Sequence, residues 1–305
     1  MTTQSNAVPE SHLQSRVAEP VAIPPLRRMY WLLRRELYEY RTIYVVPLAA
    51  AQLFLIGFVI HTFVLRHRVP ILKSAHNELA FSFEVSAALI MGTALLIGLY
   101  YSLEALYGER RDRSILFWKS LPVSDLETVL SKFIIPLIIV PLISFAITLV
   151  TQFMMLILGS IILLGSGVDI GEVWRQSAFF RTSLIFFYHI VTVHGLWYAP
   201  IYGWLFMVSA WSRRAPLLWA VLPPFVICGV EKIAFNSTHF LTLILQRLLG
   251  SQVQPSSSPG GASMDMGSQL IPAHFFAEPG LWIGLAITAI FLAIAVQLRR
   301  SRGPI

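Results

Sequence analysis

IYVVPLAAAQLFLIGFVIHTFVL, residues 43–65, decides the fold. No Asp, Glu, Lys or Arg interrupts it. A helix rises about 1.5 Å per residue, so roughly 20 apolar residues cross about 30 Å of hydrocarbon. The run is solid rather than alternating, which excludes a transmembrane barrel strand. Comparable runs follow at about 83–103, 133–164, 183–208, 215–235 and 281–298. The pattern predicts an all-α polytopic membrane protein with six transmembrane helices. The third run is longer than a bilayer is thick, so it must tilt, project, or kink at Pro136 or Pro141. Pro223 and Pro224 interrupt the fifth, and neighbouring helices or water must satisfy the backbone groups they free.

Composition agrees. The chain has 305 residues, of which 56% are hydrophobic and 13% charged, and its mean hydropathy is +0.67. Length alone would allow two soluble domains, and the apolar runs override that expectation. The formal net charge is +7. In a membrane protein such an excess gathers on the cytoplasmic side and meets anionic lipid, so no nucleic-acid partner is implied. Cys228 is the single cysteine, and no internal disulfide can form. Residues 1–25 are polar and proline-bearing without an apolar core, and they read as a disordered tail rather than a signal peptide.

Basic residues orient the chain. With both termini inside, 16 of the 23 Lys and Arg residues face the cytoplasm. The seven outside are Arg66, Arg68, Lys73, Arg175, Arg181, Lys232 and Arg247. The bias supports cytoplasmic termini and an even span count, although the 66–82 loop dissents. Ahead of the first span, Leu26, Met29, Tyr30, Leu33, Leu37 and Tyr40 fall on one helical face, with Arg27, Arg34 and Arg41 recurring on another. This predicts an amphipathic helix in the headgroup layer. The outer segment 236–280 holds a short apolar helical piece at 238–250 and a flexible Ser/Gly/Pro-rich linker. The adjacent Glu231 and Lys232 read as a local ion pair.

Between the second and third spans lies GERRDRSILFWKSLPVSD, 108–125. Ser124 and Glu127 have capping-box spacing, so the third helix should begin near Asp125, ahead of the membrane. Ser114–Ser120 makes one or two helical turns with Ile115, Leu116 and Trp118 as apolar content. Such a crosswise helix has two readings. It is an interfacial turn with snorkelling arginines, or a docking knob with aromatic and arginine anchors.

The run from Tyr107 to Lys132 resembles the cytoplasmic loop of ABC-2 type permease subunits of ABC transporters, where an E-R-x-x-[GS]-[ST]-like segment precedes a short helix and then L-P-[VI]-[ST]. The wider plan, an N-terminal interfacial helix, six spans, inside termini and a long outer loop before the last span, is similar too. The resemblance implies a permease domain over 26–305, whose loop is a coupling helix seated in a separate ATP-binding subunit. It implies contacts from Glu109, Arg110, Arg111, Asp112, Ser114, Leu116, Phe117, Trp118, Leu121 and Pro122. A minor cytoplasmic contact would come from Trp211, Arg213 and Arg214. Where the family often has glycine after the arginine pair, this chain has Arg113-Ser114. The resemblance further implies a bacterial inner-membrane exporter working with a second permease chain as a homodimer or heterodimer, with ATP and Mg held by the partner subunit and no cofactor on this chain.

No G-x-x-x-x-G-K-[ST] occurs, and none of Lys73, Lys119, Lys132 and Lys232 follows a glycine, so no phosphate-cradling loop is present. The rival classes are an intramembrane enzyme and an ATP-independent secondary transporter or channel. Neither H-E-x-x-H nor G-x-S-x-G occurs. His189 and His194 lie about 140° apart on an α-helix, which disfavours a metal pair. Glu84 and Glu104 sit at opposite ends of the second span. No catalytic or metal-binding residue is assigned. An inverted repeat, expected of many secondary transporters, is not evident. Polar residues inside spans, namely Gln52, His61, Gln152, His189 and His194, are candidates for function or interhelical bonding. Gln52 and Gln152 are the candidates to line a cavity.

Overall fold

Thr42–Arg68 is a single helix, as the opening stretch predicts. The computed structural model describes residues 24–68, 72–120, 123–164, 170–177, 179–249 and 272–303. Leu121, Pro122, residues 1–23 of the tail and most of the outer linker lie outside the described residues. Among the described residues every regular element is helical: α1 (Pro25–Glu39), α2 (Thr42–Arg68), α3 (Leu72–Arg111), α4 (Ile115–Ser120), α5 (Asp125–Ile134), α6 (Val140–Leu163), α7 (Ile170–Ser177), α8 (Phe179–His189), α9 (Ala199–Trp211), α10 (Pro216–Phe235), α11 (His239–Leu249), α12 (Pro272–Ala277) and α13 (Pro279–Ser301).

Among the described residues five stretches are long and apolar enough to cross a membrane: Thr42–Val64, Phe81–Arg111, Asp125–Leu163, Pro216–Phe235 and Pro279–Ser301. The expected fourth span is not one straight helix. Phe179–Trp197 and Ala199–Trp211 satisfy the same criterion only together, bent by 43°. The break has a visible cause. Ile190–Trp197 is wound as a π-helix, and Pro200 sits in the first turn of α9. A proline there has no amide to continue the upstream ladder.

The third stretch runs 39 residues, about 58 Å of helix. It starts at the Ser124 capping box, in which Ser124 Oγ accepts from the Glu127 amide at 3.1 Å and Glu127 returns to the Ser124 amide at 3.0 Å. Pro136 is absorbed by a π-helical stretch, Ile135–Ile139, that joins α5 to α6.

α9 and α13 lie side by side, α2 runs along α6, and α3 touches both α6 and α9. Their core holds Ile43, Tyr101, Leu106, Phe133, Tyr202, Phe206 and Leu281. Gly203 lets α9 close on α13, since a Cβ there would stand 3.3 Å from Thr288 Cγ2. Small residues at helix contacts suit a setting where lipid is as apolar as the interface. Ser209 pins α9 to α3: its hydroxyl donates to the Leu103 carbonyl at 2.6 Å and accepts from the Leu106 and Tyr107 amides. In contrast, α10 exposes most of its apolar side chains, among them Phe225, Val230 and Ile233.

Candidate functional site

The second apolar run continues as helix eight residues past its expected end at residue 103, to Arg111. Gly108–Arg111 are therefore the last turn of α3 rather than a separate loop. Arg113 then takes a left-handed backbone, φ 60°, and the chain turns into α4. Glycine adopts that conformation without strain, whereas a residue with a Cβ does not. Ser114 Oγ donates to the Glu109 carbonyl at 3.4 Å, which helps to close the turn.

Burial divides the expected contact residues. Glu109 is 6% exposed and Arg110 is 4% exposed. The Arg110 guanidinium is spent inside the fold, donating to the carbonyls of Ala210 at 2.6 Å and Ser212 at 3.1 Å. A direct contact from these two side chains to another protein is not available in this conformation. Arg111 and Asp112 are exposed and paired with each other at 3.1 Å, and Arg111 also reaches Glu104 at 2.8 Å. Ile115 anchors α4 inward, while Leu116 at 58% and Phe117 at 60% exposure face out. Trp118 lies between, with the Arg35 guanidinium 3.5 Å above its ring and Phe117 against its edge.

Beneath α4 lies a cluster that sequence reasoning missed. Glu36 of α1, Glu109 of α3, Lys132 of α5 and Arg299 of α13 are each at most 6% exposed. Lys132 Nζ lies 2.8 Å from Glu36 Oε1 and 3.4 Å from Glu109 Oε1. Arg299 pairs with Glu109 Oε2 and, at 3.0 Å, with Asp125 Oδ1. Tyr101 donates to Glu36 Oε2 at 2.7 Å. Four helix ends are thus joined by alternating charges. Tyr40 packs edge-on against Tyr101, and burial pushes its hydroxyl up to about 12, so it stays neutral. Burying a charge is tolerable only when it is paired, and here each carboxylate meets a cation.

α1 accordingly does more than lie on a surface. Leu33, Leu37 and Tyr40 pack against the core, and Glu36 points with them, whereas Leu26 and Tyr30 remain exposed. Arg28 pairs with Glu127 at 3.0 Å and so ties α1 to the start of α5. The one available signal was an acidic residue on the apolar face of an otherwise basic helix.

Elsewhere the expected residues separate. Gln152 is buried and donates to the Phe83 carbonyl at 3.3 Å, linking α6 to α3, while Gln52 is exposed on α2. Trp211 stacks edge-on against Trp219 at 4.9 Å, and Arg213 and Arg214 are exposed beside it. Glu231 does not pair with Lys232. It caps α11 instead, accepting from Ser237 and from the amides of His239 at 2.8 Å and Phe240 at 2.9 Å. His189 and His194 come to 6.1 Å between ring centroids, closer than α-helical spacing predicts, because the intervening turn is π-helical. Among the described residues no group of three or more His, Cys, Asp or Glu side chains gathers to hold a metal.

Compared with known proteins, the chain matches no family model, no curated protein and no solved structure.

Proposed function

We propose that the chain is the membrane-embedded subunit of an ATP-driven exporter, an ABC-2 type permease acting with a separate ATP-binding subunit. The single observation that carries this reading is the build of α4. A six-residue helix offers Leu116 and Phe117 outward while its root, Glu109 and Ile115, is buried. Large exposed apolar side chains on a rigid base are what a partner's pocket recognises. The base matters equally. A push on α4 passes through Glu109 to Lys132 and Arg299, and through Trp118 to Arg35, so α1, α3, α5 and α13 receive it together.

In this reading the six spans have both termini in the cytoplasm of a bacterium, α1 rests in the headgroup layer, and α4 is the coupling helix. A second permease chain, identical or not, completes the pathway. ATP and Mg belong to the partner subunit, which supplies the driving energy. Two conformations must differ in their affinity for that energy source, or nothing is moved. The contact comprises Asp112, Leu116, Phe117 and the exposed edge of Trp118, with Trp211, Arg213 and Arg214 as a lesser patch. Glu109 and Arg110 hold the helix in place rather than touch the partner.

The test is co-purification from detergent with candidate ATP-binding subunits co-expressed. Wild type is expected to retain an ATPase. Leu116→Ala with Phe117→Ala should lose it by about thirtyfold or more, the scale of a lost anchor of about 2 kcal/mol, with the permease still monodisperse. Failure of every co-expressed ATPase to bind wild type would sink the reading.

A further inference from the structure

The end of the bundle away from α4 holds a cation of a different kind. Arg247 of α11 reaches over α13, where a Cβ on Gly284 would stand 1.6 Å from its guanidinium. Gly284 is five residues into α13, about 7 Å from its start, so the charge lies against the first turns of an apolar helix. The guanidinium lies 4.1 Å from the Trp197 ring centroid and donates to the Gly280 carbonyl at 3.2 Å. Among the described residues no carboxylate reaches ion-pairing distance. Burial lowers the Arg247 pKa, and Glu278 is near enough only to oppose that shift partly.

Beside the cation stands an unused donor. Trp197 is 7% exposed, and its Nε1 is buried with no hydrogen-bond partner. An ionisable side chain held against an apolar span without a counter-ion is a candidate site. A buried N–H without an acceptor adds to the same debt of unmet bonds. Among the described residues the guanidinium lacks a counter-ion and the indole N–H lacks an acceptor, and an anion with several oxygens answers both. A guanidinium fork suits the paired oxygens of phosphate, and phosphate is the anion found at the level of membrane headgroups. The surroundings are apolar: Phe275 packs on Trp197, and Leu243, Leu245 and Trp282 are exposed nearby on α11 and α13.

We propose that Arg247 and the Trp197 indole form a phosphate-binding site at the end of the bundle opposite α4, shaped for the headgroup of an anionic amphiphile. The site stands on this geometry and does not rest on the transport reading. Tyr198 braces it by donating to the Leu248 carbonyl at 3.0 Å, which fixes the end of α11 against the bent span.

The test uses the full-length chain in non-ionic detergent micelles doped with equal phosphatidylglycerol and phosphatidylcholine. Native mass spectrometry counts the lipid retained per chain. Wild type should prefer phosphatidylglycerol by about tenfold, the scale of hydrogen bonds to a charged group. Arg247→Gln should erase the preference, and Arg300→Gln, an exposed arginine at the other end, should leave it intact. Trp197→Phe keeps the ring and removes the N–H, so it should lower the preference a few-fold. If Arg247→Gln fails to fold, Trp197→Phe decides alone. Displacement by millimolar inorganic phosphate would assign the site to a soluble phosphate, and resistance to it would assign a lipid headgroup. An undiminished phosphatidylglycerol preference in every folded variant overturns the proposal.

Discussion

Lys132 and Arg247 are cations held at opposite ends of the same bundle, and their surroundings differ. Lys132 touches two carboxylates, and its neighbour Arg299 touches one of these and a third. Arg247 has a ring face and one carbonyl. Arg299 and Gly284 mark the two ends along α13, 15 residues and about 22 Å apart. A buried charge whose partners are all in the chain makes a frame, because moving any member uncovers another. A half-buried charge with no counter-ion among the described residues is what we propose as a receptor, because its partner must come from outside. Both are cations in the last turn of a helix, so residue type and local position alone do not separate them.

The comparison breaks most sharply at Lys132. Lys132→Met leaves Glu36 and Glu109 facing each other without their shared cation. Removing one partner of a buried pair costs about 3–5 kcal/mol, and the thermal midpoint in detergent should fall accordingly. Adding Glu36→Gln should recover part of the loss, and no recovery would show that the pair is not coupled. Next in size is Gly284→Ala, which puts a methyl where the Arg247 guanidinium lies. The far end of an arginine is flexible and the Pro200 ring, 3.0 Å from that Cβ, need give only a few tenths of an ångström, so the chain should stay folded while phosphatidylglycerol retention falls about tenfold. A large loss of thermal stability in both Gly284→Ala and Arg247→Gln would mean that Arg247 is part of the frame. Ser124→Ala should cost about 1 kcal/mol, read by the same melt, since it removes the cap on α5. Smallest is Arg113→Gly. Relieving a left-handed arginine should stabilise the chain by about 0.5–1 kcal/mol, and a destabilised melt would refute a left-handed turn there.

How much of this was legible depends on range. The α5 start was visible because a capping box is a four-residue event, and Ser124 and Glu127 make it without help from the rest of the chain. The α4 helix was visible as a short apolar and aromatic run between charges. The inward turn of Glu109 and Arg110 was not, because it depends on where α5, α9 and α13 end in space. Sequence distance conceals those partners: Glu109 meets Arg299 across 190 positions. The bend at residues 190–197 was hidden for another reason. A π-helical stretch of eight residues is too short to show its wider period, so the run around His189 and His194 reads as ordinary helix.

By itself the sequence determined the class of solvent, the number of apolar helices to within one bent pair, and the local starts and stops. These follow from length, hydropathy and capping, each set by residues a few positions apart. Tertiary structure alone decided which charges are paired. Pairing depends on the convergence of helix ends that the chain visits at widely separated times, and a buried charge keeps its place only when all of its partners arrive.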